Sequence, residues 1–109
     1  MPRLLGTVYL LHFAERYKGE EIVTERDGTE RPRKEWPGAQ HYIGWTPDLA
    51  DRLQAHARGD GARLVAVMVG KGIPFELARV WENVGRKEER RLKNQGGASR
   101  LCPLCKGAA

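Results

Sequence analysis

The chain is poor in three things, and each shortage excludes something. Cysteine occurs twice in 109 residues, at Cys102 and Cys105, as one CxxC with Pro103 inside it. Structural zinc takes four ligands, and neither a second CxxC nor a paired histidine follows, so the spacing predicts no closed mononuclear site within the chain. A redox role lacks a surrounding thioredoxin pattern. The expectation is a reduced structural turn, with zinc shared across a dimer or a labile disulfide as the alternatives. No apolar run approaches the ~20 residues that span a bilayer. The opening Met1-Pro2-Arg3-Leu4-Leu5-Gly6 also lacks the basic, apolar, small pattern of a signal peptide. A cytoplasmic protein without membrane contact is expected. There is no internal repeat, and the length suits one domain (1–109) with one modest core, leaving no room for a separate sequence-reading domain. With 40% hydrophobic, 30% charged and 7% aromatic residues, the composition is globular rather than disordered, collagenous or membrane-embedded.

What the chain has is localised positive charge. It carries 19 Lys+Arg against 14 Asp+Glu, a net charge of +5. The stretch 86–106 holds seven basic and two acidic residues, while everything before it is balanced. A basic segment on a small domain is the footprint left by phosphate-backbone recognition, although a solvated helix face has the same composition.

Residues 4–13 (LLGTVYLLHF) are β-rich and apolar without helical period, which predicts a buried strand. Residues 18–37 form a charged insertion, a loop or short β-ribbon turning at Asp27-Gly28, with Ile22 and Val23 as its anchors. Residues 41–45 (HYIGW) predict a second strand, antiparallel to the first. Thr46 as N-cap, Pro47 at the first helical position and Asp48 at the positive end of the dipole start a helix to about Arg58, with Leu49, Leu53 and Ala57 inward and Gly59 as the stop. Residues 62–70 fit strand or helix. Residues 73–81 alternate Ile73, Phe75, Leu77, Arg79, Trp81 as a strand, and residues 86–94 form a charged helix before a tail at 95–109. The order β, β, α, uncertain, β, α predicts an α+β domain with helices on a small sheet.

Arg52 and His56 lie four apart, one turn along a helix that follows Tyr42. A guanidinium grips phosphate, and a nearby histidine donates to it or moves a proton. Glu89 has Lys93 at i+4, which spells an ordinary surface ion pair or, alternatively, a hard oxygen ligand for Mg²⁺. Together Thr7-Val8-Tyr9, Tyr42-Ile43-Gly44, Arg52, His56 and Glu89 form a spaced pattern. From about Gly6 to Lys93 it resembles the GIY-YIG nuclease superfamily, and most closely short stand-alone members with patterns like HYIGW, RLxxH, GxGARL, RxxERxLK and a terminal CPxC. Thr7-Val8-Tyr9 stands where the name-giving triplet has Gly-Ile-Tyr, and the 18–37 insertion separates the motifs more widely than is common in the family.

The resemblance implies a small, central, mostly antiparallel three-stranded sheet flanked by helices. It also implies an endonuclease that hydrolyses phosphodiester bonds, DNA ahead of RNA, by direct water attack with Mg²⁺ or Mn²⁺. On it, Tyr9 and Tyr42 position or deprotonate water and hold a phosphate oxygen, Arg52 stabilises transition-state charge, and Glu89, with Glu88 as its rival, holds the metal. His56 assists proton transfer or binds phosphate, and His41 is a second general-base candidate. Arg86, Lys87, Arg90, Lys93 and Arg63 would bind the nucleic-acid backbone. Gly44 permits a close approach, and Trp36, beside Arg33 and Lys34, is the best base-stacking candidate. A catalytically silent nucleic-acid-binding module of the same fold is the alternative. Specificity would come from the insertion, from homodimerisation, or from recognising shape or single strands.

Overall fold

The computed structural model describes residues 5–19, 22–32, 38–95 and 98–107. Its centre is β1 (Gly6–Phe13), apolar on both faces, flanked by β4 (His41–Thr46) and β5 (Phe75–Val84) in an antiparallel sheet of order β4-β1-β5. The coarse expectation, an α+β domain around a three-stranded antiparallel sheet, is met.

Alternation along β1 divides the core in two. Tyr9, Leu11 and Phe13 point to one face, where they pack with Leu64, Val65 and Met68. Val8 and Leu10 point to the other, where they pack with Ile43, Trp45, Leu92 and Cys102. Side chains of period two on a central strand require cover on both sides, and helices supply it.

The first face is covered by α1 (Leu49–Ala57) and α2 (Arg63–Gly70). The N-cap of α1 is Asp48, not Thr46: its carboxylate accepts the Asp51 N–H at 3.1 Å. Thr46 is buried and exchanges hydrogen bonds with the Asp48 backbone instead. The inward residues of α1 are Leu49, Leu53 and His56, at i, i+4 and i+7, while Ala57 is exposed. A helix stripe advances by alternating steps of four and three, so the third inward place falls on the histidine. The ambiguous 62–70 stretch is helical because Leu64, Val65 and Met68 follow that period into the core. Gly72, at φ +77, ends it.

On β5 the strict alternation does not hold. Register shifts opposite Leu10/Leu11 and Gly6/Thr7 insert Ala78 and Asn83 as extra residues, and Asn83 takes positive φ as a bulge residue can. Phe75 and Val80 therefore serve one face, Ala78 and Trp81 the other, and Leu77 is exposed.

The second face is covered by α3 (Arg86–Asn94), through Leu92, and by the short helices α4 (Ala98–Leu101) and α5 (Pro103–Gly107). The C-terminal segment is thus not a loose tail, since Cys102 is fully buried. The insertion forms a ribbon of β2 (Ile22–Thr24) and β3 (Glu30–Pro32) around a turn with Gly28 at φ +87. Ile22 is exposed rather than an anchor, and the ribbon's approach is fixed by buried Tyr17, whose N–H donates to the Ala39 carbonyl. Arg33, Lys34 and Trp36 lie outside the described residues. No helix among the described residues is long and apolar enough to cross a membrane.

Candidate functional site

The antiparallel register of β1 and β4 sets Tyr9 opposite Gly44 and Leu11 opposite Tyr42, so the two tyrosines are diagonal neighbours on one face. Their ring centroids lie 6.0 Å apart. His56 comes up from α1 to complete a triangle, 5.6 Å from each ring. Gly44 makes this possible: a methyl there would lie 2.5 Å from the Tyr9 hydroxyl and 2.8 Å from a Tyr42 ring carbon. The close approach that Gly44 permits is by Tyr9, within the protein.

Tyr9 Oη and His56 Nε2 are hydrogen-bonded at 2.7 Å, a buried side-chain pair 47 residues apart in sequence. His56 is fully buried, its Nδ1 has no hydrogen-bond partner among the described residues, and Gly61 backs so closely onto the ring that any side chain there would collide with it. Burial, and then the Arg52 charge, lower its pKa below the ordinary histidine value. His56 is therefore held in its neutral form. No surface of His56 is open.

Tyr9 is only 1% exposed. Its pKa is pushed far above the usual tyrosine value, first by burial, then by Tyr42 as a charge and a hydrogen-bond neighbour, while Arg52 opposes and Glu89 adds to the rise. Tyr42, Arg52 and Glu89 thus all act on the Tyr9 hydroxyl, although they come from β4, α1 and α3. Tyr42 is half-buried and Arg52 exposed, so these two form the outer layer over the Tyr9–His56 pair.

Helix α3 packs along β4, and β4 is an edge strand, so its side chains reach round the edge to Tyr42. Lys93 Nζ sits over the Tyr42 ring, 5.6 Å from the centroid, and binds the Glu89 carboxylate at 2.8 Å. Glu88 points elsewhere, in a bidentate pair with Arg91 that holds its carboxyl below the usual range. Of the two carboxylates, Glu89 is the one beside the tyrosines. A surface concavity of about 370 Å³ is lined by Arg86, Glu89, Arg90, Lys93 and Asn94, three of them cations. Lys87 is exposed on the same helix, and Arg63 is exposed at the start of α2, two residues after Gly61. Arg86 also stacks on Trp45, its guanidinium carbon 4.9 Å from the ring centroid.

His41 is not with this group. Adjacent strand residues face opposite ways, and His41 points with His12, its partner in register, to the second face. His12 Nδ1 and His41 Nε2 are 3.2 Å apart, His41 Nε2 is 3.2 Å from Cys105 Sγ, and His12 Nδ1 is 3.5 and 3.7 Å from the Cys102 and Cys105 sulfurs. All four donor atoms lie within 4.8 Å of one another, and both cysteines are free thiols. Burial, the His12 charge and Arg16 lower the His41 pKa. Sequence spacing alone missed this cluster because its histidines lie on different strands. The available signal was the register, since pairing Tyr9 with Gly44 pairs His12 with His41.

No protein-family model matches the chain, and no curated protein and no solved structure is significantly similar to it.

Proposed function

We propose that the protein is a divalent-metal-dependent endonuclease of GIY-YIG type that hydrolyses phosphodiester bonds in nucleic acid, DNA ahead of RNA. The observation that carries this reading is the gathering of Tyr9, Tyr42 and His56 at the sheet edge, with the charges of Arg52 and Glu89 felt at the Tyr9 hydroxyl.

Burial divides the roles. Tyr42 and Arg52 face the substrate, and the Tyr9–His56 pair stands behind them. A tyrosine whose pKa is raised is no tyrosinate at neutral pH, so Tyr9 serves as a buried positioning residue. An attacking water would donate to the Tyr42 oxygen, while Tyr9 and His56 pack against the Tyr42 ring and fix its position. As the water attacks phosphorus, its proton would leave through the half-buried Tyr42 hydroxyl to solvent. Arg52 stabilises the charge growing on the phosphoryl oxygens, an effect worth about 10²–10³ in rate when one such donor is removed.

Glu89 fits a Mg²⁺ or Mn²⁺ ligand in chemistry, since such ions are commonly held by one or two carboxylates, substrate phosphate and water. The ion would polarise the phosphate and stabilise the leaving oxygen. Glu89 is partly exposed and its bond to Lys93 is a surface ion pair worth under about 1 kcal/mol, so Lys93 can yield the carboxylate and turn to a substrate phosphate. Arg86, Lys87, Arg90 and Arg63 supply further cations for the backbone.

Labelled single- and double-stranded DNA and RNA, incubated with the protein in Mg²⁺ or Mn²⁺, test the reading. Cleavage lost in Arg52→Ala and Glu89→Gln is expected. Salt-dependent binding without cleavage would replace it with the silent binding module.

A further inference from the structure

We infer that His12 Nδ1, His41 Nε2, Cys102 Sγ and Cys105 Sγ form a closed, tetrahedral, structural Zn²⁺ site on the second face of the sheet. The inference does not depend on the nuclease reading, which uses a different face and a hard-metal ligand.

The distances carry it. With Zn–N near 2.05 Å and Zn–S near 2.3 Å, a tetrahedron has edges of roughly 3.3 Å between nitrogens, 3.6 Å between nitrogen and sulfur, and 3.8 Å between sulfurs. The N–N separation here is 3.2 Å, and three N–S separations are 3.2, 3.5 and 3.7 Å. Hydrogen bonding explains individual pairs among these contacts, but it gives no reason for four donors from three separate segments to converge on one point. The donor set selects the metal. Two thiolates and two imidazoles in tetrahedral array suit zinc, whereas Mg²⁺ and Ca²⁺ take oxygen.

Charge and burial agree. Binding releases the two thiol protons, and two thiolates cancel the charge of Zn²⁺, leaving a neutral centre that a half-buried site tolerates. Cys102 is fully buried and the other three ligands are half-buried. All four positions come from protein, so no open position remains for a catalytic water. The site's work is mechanical. It ties the segment carrying α4 and α5 to β1 and β4, over Val8, Leu10, Ile43 and Trp45. It also anchors His41, the residue next to Tyr42.

The test is the metal content of the untagged wild-type chain, purified without added metal from zinc-supplied cells, followed by replacement with Co²⁺. About one zinc per chain is expected, with the intense d–d bands and thiolate charge transfer of tetrahedral Co²⁺ in the exchanged protein. Cys102→Ser and Cys105→Ser should lose stoichiometric metal. If the serine variants do not fold, the wild-type stoichiometry and cobalt spectrum decide alone. Metal-free wild-type protein with both thiols free, a Cys102–Cys105 disulfide, or stoichiometric zinc persisting in the double serine variant would overturn the inference.

Discussion

His41 and Tyr42 are neighbours in sequence and belong to different chemistries. Tyr42 turns to the face where α1 brings His56, and Lys93, paired with the hard Glu89 carboxylate, lies over its ring near the surface. His41 turns to the face where the C-terminal helices bring two thiols, and it meets soft donors in an enclosed cluster. The period-two alternation of one six-residue strand separates the two. On the proposed reading the open face keeps groups available to a substrate, while the other face has its groups turned to one another. Activity and scaffold should therefore be separable by mutation.

The largest expected effect sharpens that separation. Tyr42→Phe and Arg52→Ala should each lower cleavage by about 10²–10³-fold, leaving the thermal midpoint and the zinc content near those of the wild type. A fall in zinc content in either variant would break it. Removing zinc tests the other face: at a zinc concentration about 100 times its Kd, binding stabilises by about 2.7 kcal/mol, roughly 10–20 °C in a domain of this size, so chelation should cost that much in a melting curve.

Both faces were partly legible in the sequence. Apolar, β-rich composition marked β1 and β4, and the charged helix was legible at its observed bounds, residues 86–94, because these depend on local composition. Tyr9, Tyr42, Arg52, His56 and Glu89 were legible as a spaced set. Burial was not: whether a histidine lies at the surface or beneath Gly61 depends on a loop folding over it. The His12 partnership was hidden for a similar reason, since strand register and a segment 90 residues later must both be known. The bulges in β5 left no mark in the 73–81 alternation, as they answer to its partner strand.

A smaller effect concerns how tightly the open face is packed. Gly44→Ala should destabilise by about 1–3 kcal/mol, because the added methyl displaces the Tyr9 ring, and denaturant melts should record it. Cleavage should fall as well, with zinc unchanged.

A pH dependence follows from His56, which faces Tyr9, Tyr42 and Arg52 and is held neutral in the fold. Unfolded, it takes up a proton near its ordinary value of about 6.5. The stability it contributes is fully present above that pH and is lost as pH falls from there towards its lower folded value, because the unfolded chain binds the extra proton. Urea melts between about pH 7.5 and 5.5 should show a steeper loss in the wild type than in His56→Gln. Least of all, Arg91→Ala should leave the melting midpoint close to that of the wild type, since its pair with Glu88 lies at the surface.

The most direct measurement of the central claim is cleavage of labelled DNA by zinc-replete protein, with and without Mg²⁺, for the wild type and Glu89→Gln. The account predicts Mg²⁺-dependent products from the wild type and none above background from Glu89→Gln, with both proteins equally folded and equally loaded with zinc. Equal cleavage by the two, or intact DNA from the wild type in both Mg²⁺ and Mn²⁺, would contradict it.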